Sequence, residues 1–191
     1  MTDTAGFQDD GREKRRYDYD SLIRTYAKQL FNFGIRFCQD EEVVKDCIQQ
    51  LFLDLWNRNF DIDEDNKIKS YLFKAIRNRV LREKSKWSRD ETLDENYDFI
   101  MEFDVETHLL IDDSHREVTL RLQQLLNNLP PRQREIIYLK FYEDLDPAQI
   151  SAIMNLHRQS VHNLLQKAYG NLRIDWKVLT IFLGILSIRD L

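Results

Sequence analysis

The chain has 191 residues, a formal net charge of −5 and only 5 Gly and 3 Pro. Gly and Pro together make up about 4% of the chain, against an average near 12%, which leaves too few tight turns for a many-stranded sandwich or barrel. A hydrophobic content of 42% can build a real core, and the 32% of charged residues suits two small domains or long exposed helices. As a sum, the acidic charge argues against nucleic-acid binding; its distribution along the chain argues otherwise. Cys38 and Cys47 lack metal-ligand spacing and make a poor disulfide framework, so both read as small apolar residues in a reducing compartment. The first twenty residues hold no apolar core of the signal-peptide kind. The longest apolar run, residues 178–188, is far shorter than the roughly 20 residues of a membrane span. The expectation is a cytoplasmic protein with no membrane span.

Residues 1–18 are polar and expected to be disordered. A first domain is expected over 19–89. Tyr26, Leu30, Phe33 and Phe37 recur at helical spacing, and Asp40 is placed to cap a second helix whose apolar face is Val43, Val44, Cys47, Ile48, Leu51, Phe52 and Leu55. After an acidic loop, a third helix turns Ile68, Leu72, Ala75, Ile76 and Val80 inward. Residues 90–115 read as a solvated acidic linker, with ten Asp and Glu and no Lys or Arg over 90–113. A second domain is expected over 116–173. Val118, Leu122, Leu125 and Leu129 recur before Pro130-Pro131, and a helix opened by Pro131 is expected to run to about Tyr142. The fold class is therefore all-α: two small helical domains joined by an acidic linker. Residues 174–191 form an apolar tail, expected to be a short helix on the second domain or a partner's contact.

Residues 67–89 carry nine Lys and Arg against the single acid Glu83. Phosphates supply most nucleic-acid affinity through counterion release, so such a strip can bind within an acidic protein. Tyr71, Phe73 and Trp87 add rings of the kind single strands stack on, and Asn78 adds an amide able to read a base edge. A solvated basic helix face is the plainer alternative.

Residues 145–172 have the pattern of a helix-turn-helix. Asp146 is placed as N-cap with Pro147 at the first helical position, and Ile150 and Ile153 point inward. Asn155 occupies the tight turn, where positive φ is tolerated, and Leu156 plugs it. On the second helix Val161, Leu164, Leu165 and Ala168 pack inward. Arg158, Gln159, Ser160, His162, Asn163, Gln166 and Lys167 are left for base edges and phosphates. The alternative is an ordinary helical hairpin in a bundle. His162 has no partner ligands nearby, so no metal site is expected there.

Three segments together resemble the small, two-domain extracytoplasmic-function group of bacterial RNA polymerase sigma factors. Residues 46–56 (DCIQQLFLDLW) resemble the family's D-x-x-Q-E-x-F-x-x-x-W segment, and residues 70–79 (SYLFKAIRNR) the segment that opens the promoter's −10 element. Residues 129–135 (LPPRQRE) resemble its L-P-x-x-x-R-E signature. The resemblance implies a promoter-specificity subunit, not an enzyme and without a cofactor. Asp46, Gln49, Gln50, Leu53 and Trp56 would dock on the clamp coiled coil of the polymerase's largest subunit. Asn78 would hold a flipped base, with Lys67, Lys69, Arg79, Arg82, Lys84, Lys86 and Trp87 along the melted strand. Arg158, Gln159, Ser160, His162, Asn163 and Lys167 would meet the −35 duplex. The linker would thread the polymerase's active-site and RNA-exit path, its carboxylates imitating RNA. Further partners implied are the flap of the second-largest subunit, promoter DNA, and an anti-sigma factor or an auxiliary DNA-bound recruiter.

The chain departs from the family pattern where Gln50 stands for a glutamate, and where His162 and Leu164 stand at positions often Lys or Arg. Only Arg158 and Lys167 are basic between residues 155 and 170, so phosphate attraction there is expected to be weak. Two rivals remain open at this point: a stand-alone helix-turn-helix regulator, and an anti-sigma-like adaptor that makes no DNA contact.

Overall fold

The computed structural model describes residues 7–57, 65–87, 97–102 and 113–172. Among the described residues there are seven α-helices, one π-helical turn and no strand. They are α1 (Phe7–Gly34), α2 (Glu41–Asn57), α3 (Asp65–Trp87), α4 (Asp113–Asn127), α5 (Pro131–Ile137), the π turn (Tyr138–Tyr142), α6 (Pro147–Met154) and α7 (Arg158–Leu172). The chain divides into two compact units, Met1–Leu93 and Asp94–Leu191.

In the first unit α1, α2 and α3 pack pairwise against one another. Leu30, Phe33 and Phe37 from the α1 end, Val44, Leu51 and Leu55 from α2, and Ile68, Leu72, Ile76 and Val80 from α3 fill the core. Asp40 caps α2 as its position suggests, accepting from the Glu42 N–H at 3.0 Å and the Val43 N–H at 3.3 Å. Gly34, the last residue of α1, lets α1 and α2 approach closely: a Cβ there would lie 2.8 Å from Cγ1 of the buried Val44. Cys47 is buried and its thiol pKa is raised, chiefly by desolvation, whereas Cys38 is only half-buried.

Two expectations for this unit need correction. Residues 7–18, expected to be disordered, are the first turns of α1. Extending an existing helix costs far less than nucleating one, so a polar segment without proline can continue a helix anchored downstream. Phe73 is fully buried and Arg77 nearly so, with the Arg77 guanidinium 5.9 Å from the centre of the Phe37 ring. Neither is therefore available to a single strand. Residues 1–6 and 58–64 lie outside the described part.

In the second unit α5 and α6 both pack on α7. Leu122 and Leu126 are buried on α4 and Leu125 only half so, and the helix begins at Asp113, within the stretch expected as linker. The helix expected to run from Pro131 to Tyr142 is α5 followed by the π turn, whose wider ring is closed by the Glu143 N–H on the Tyr138 carbonyl at 3.1 Å. Asp144, with φ of 51°, then reverses the chain toward α6.

The larger correction concerns the linker. Residues 97–102 are a strap bound to the second unit: Tyr97, Phe99 and Met101 are buried while Asp98 and Glu102 face outward. The Asn127 side chain clamps Met101, accepting from its N–H at 2.9 Å and donating to its carbonyl at 2.8 Å. Tyr97 donates to the buried Glu135, and the Phe99 ring meets Tyr138 edge-on at 5.7 Å. Burying three such side chains stabilises by about 5–9 kcal/mol, while ordering six backbones costs about 6–12 kcal/mol. The three hydrogen bonds add about 1 kcal/mol each, so the docked strap sits within a few kcal/mol of balance. Residues 88–96, 103–112 and the tail 174–191 lie outside the described part.

Gly34→Ala should lower the unfolding free energy by about 1–2 kcal/mol in chemical denaturation, because the added Cβ overpacks against Val44, which is fully buried and stiff at χ1. Alkylation of the folded chain at pH 8 should modify Cys38 and spare Cys47.

Candidate nucleic-acid interface

Helix α2 has two faces of opposite use. Its buried side is Val44, Cys47, Ile48, Leu51, Phe52 and Leu55. Asp46, Gln49, Gln50, Leu53 and Trp56 recur on the other side at intervals of three and four residues, and all five are exposed. Leu53 and Trp56 remain 47% and 44% exposed and, three residues apart on the helix, lie side by side on this otherwise polar face. Tyr19, which the sequence pattern did not single out, supports this face from α1. Its ring meets Trp56 at 5.0 Å and its hydroxyl donates to the Phe52 carbonyl. Burial raises the Tyr19 phenol above its ordinary pKa, with a smaller contribution from Asp20.

On α3, Lys67, Tyr71, Lys74, Asn78 and Arg82 fall on one outer stripe, with Lys86 at its edge. Lys67, Asn78, Arg82 and Lys86 are exposed; Tyr71 and Lys74 are half-buried. The expected strand-binding set is thereby divided. Arg79 faces α2 and pairs with Asp54, which also accepts from Gln50 Nε2 at 2.9 Å. Lys84 donates to the Phe37 carbonyl at 3.0 Å, in the turn after α1. Lys86 pairs with Glu83 at 2.7 Å, and the Lys69 ammonium lies 5.5 Å from the centre of the Phe73 ring. Trp87 ends α3, and its side chain lies outside the described part. Asn78 and Arg82, one turn apart, are both exposed on this stripe.

The helix-turn-helix agrees closely with its sequence pattern. Asp146 accepts from the N–H groups of Ala148 and Gln149, at 2.6 and 2.9 Å, while Gln149 Oε1 accepts from the Asp146 N–H at 2.8 Å, completing a capping box. Asn155 ends α6 in the left-handed region, with φ of 54° and ψ of 47°. Ile150, Ile153, Val161, Leu165 and Ala168 are buried, and Leu164 is half-buried. Arg158, Gln159, His162, Asn163, Gln166 and Lys167 are exposed and Ser160 is half-buried. Gln159 Nε2 donates to Asn163 Oδ1 at 3.1 Å, and Gln166 Nε2 lies 3.1 Å from His162 Nε2, so neutral polar groups dominate the outward face.

Residues 22–89 match the family described as Sigma-70 region 2, and residues 119–172 match Sigma-70, region 4. The chain is also similar to the ECF RNA polymerase sigma factor SigM of Bacillus subtilis (strain 168), 22% identical over 155 residues, which cover 81% of this chain and 92% of that protein. The chain belongs to the sigma-70 family, and its likeness to that relative supports the extracytoplasmic-function type. As a sigma factor it acts in transcription initiation by DNA binding and promoter recognition, which implies core RNA polymerase and promoter DNA as partners. No helix among the described residues is long and apolar enough to cross a membrane.

Besides Tyr19, two features of this sigma factor escaped sequence reasoning. Asp54 belongs to neither face of α2 and shows its use only when Arg79 arrives from α3. The strap carried a faint signal, the alternation Tyr97-x-Phe99-x-Met101, inside a segment whose acids dominate its composition. The neighbouring residues Phe52 and Leu53 separate packing from surface use. Phe52→Ala should cost about 3–5 kcal/mol of stability in denaturant melts. Leu53→Ala should change it by no more than about 0.5 kcal/mol.

Proposed function

We propose that this sigma factor docks core polymerase through the exposed face of α2, opens the −10 element on the outer stripe of α3 and reads the −35 duplex with α7. The observation that carries the docking is the α2 face, where two large apolar side chains stay half-exposed beside Asp46, Gln49 and Gln50. A stand-alone regulator has no use for such a face on the helix that builds its core. Its partner in this reading is the clamp coiled coil of the polymerase's largest subunit.

For melting, lost base stacking must be offset by capture of an unstacked base. Asn78 offers the amide, while Arg82, Lys67 and Lys74 supply positive charge along the same stripe. Tyr71 adds a ring at the level of Lys74 and Asn78. Arg79 holds α3 against α2 through Asp54 and so orients that stripe. On α7, Gln159, Asn163 and Gln166 are side chains able to read base edges, with Arg158 and Lys167 for phosphates. The acids of residues 90–113, with the outward-facing Asp98 and Glu102 of the strap among them, imitate RNA phosphates along the polymerase's RNA path. The low charge of the α7 face favours one further element of this reading: another DNA-bound protein strengthens −35 engagement.

The tests are biochemical. The full chain should co-purify with core polymerase and support promoter-dependent initiation; no capture at any salt concentration overturns the proposal. Gln49→Ala with Leu53→Ala should weaken polymerase binding at least about tenfold with unchanged thermal unfolding. Asn78→Ala with Arg82→Ala should leave polymerase binding intact and reduce open-complex formation, read by permanganate reactivity of unpaired thymines. Strong initiation by the purified two-component complex on a native promoter would exclude the auxiliary protein.

A further inference from the structure

The match to Sigma-70, region 4 begins at residue 119, yet the core of the helix-turn-helix unit is completed from residues 97–102. Phe99 reaches Tyr138, the first residue of the π turn, and neither ring retains exposed surface. Tyr138 is tied in turn to the segment leading into α6. Its ring stacks on Tyr142 at 4.6 Å, and its hydroxyl donates to Glu143 Oε1 at 3.1 Å. The Leu145 N–H then closes on the Leu139 carbonyl at 3.1 Å, immediately before the capping box that starts α6. From the same turn, the Phe141 ring meets Tyr169 of α7 at 6.1 Å. Tyr138 therefore links the strap to the segment that leads into α6, and Phe141 of the same turn reaches α7.

We infer that the strap is a positioning element for promoter reading. Docked, it holds the π turn through Phe99 and thereby sets how α6 presents α7 to the duplex; released, it leaves a folded unit that reads DNA less well. Phe99 and Asn127 are the positioning residues, acting through Tyr138 and through the Met101 backbone. The inference rests on the reading of α7 as the recognition helix. Two states are accessible because the docked strap is nearly balanced between apolar burial and chain ordering. Linkage then demands reciprocity: whatever docking adds to DNA affinity, DNA must add to docking.

The experiment uses the full chain assembled with core polymerase, and its probe is a duplex enriched by that complex from a random-sequence pool. Asn127→Ala removes both hydrogen bonds to Met101. It should lower affinity for the enriched duplex by about five- to twentyfold while leaving affinity for a scrambled duplex and the far-UV circular dichroism unchanged. Phe99→Leu keeps an apolar plug but loses the ring contact with Tyr138, and should act in the same direction. In the unsubstituted complex, hydrogen exchange of the peptide spanning residues 97–102 should slow on adding the enriched duplex and not on adding the scrambled one. Unchanged exchange overturns the inference even where Asn127→Ala fails to fold. Faster exchange of the strap in Asn127→Ala with undiminished duplex affinity also overturns it, reducing the strap to packing. If the complex enriches no duplex, the reading of α7 falls and the inference with it.

Discussion

Tyr138 has no exposed surface, and the second unit is assembled around it. Its ring receives Phe99 from the strap and Tyr142 from the next turn, its hydroxyl meets the buried Glu143, and its carbonyl closes the π turn. A phenol can be buried at this cost only if its oxygen finds a partner and its ring finds neighbours on every side. The π turn makes both possible, since its wider helical ring shifts the backbone relative to an uninterrupted helix. The downstream elements inherit that placement: the left-handed Asp144, the capping box at Asp146, then α6 and α7.

The first unit rests on a division of labour within α2. One face is buried against α1 and α3, with Gly34 allowing the close approach, and the other keeps Leu53 and Trp56 at the surface. Charges are distributed in the same manner on α3. Arg77 lies in the packing against Phe37 and Arg79 is committed to Asp54, whereas Asn78 and Arg82 face outward. Adjacent residues of the basic strip thus serve the fold and the candidate strand interface in alternation. Ranking such residues by charge alone mixes the two.

Helical periodicity, Asp40 and Asp146 as caps, and Asn155 as a left-handed turn were legible because each depends on residues within one turn of helix. The Asp46–Trp56 face was named through the family resemblance, and its exposure agrees with the register of the helix's apolar side. The net charge of −5 concealed this organisation, because a basic strip and an acidic segment nearly cancel in the sum. The strap was not legible. Its three apolar residues are outnumbered by flanking acids, and their burial depends on a groove built by residues about 26 to 39 positions further along the chain.

By itself the sequence determined an all-helical chain, the capped helix-turn-helix, the apolar side of α2 and the residues that face outward on α7. These arise from local propensity and periodicity, which act over a few residues and need no partner. Tertiary structure alone decided that Arg79 belongs to Asp54 and that Phe73 belongs to the core. It also decided that Tyr97, Phe99 and Met101 leave the acidic segment to complete the second unit. Each of these is a choice between water and a distant surface, and that surface exists only once the chain has folded.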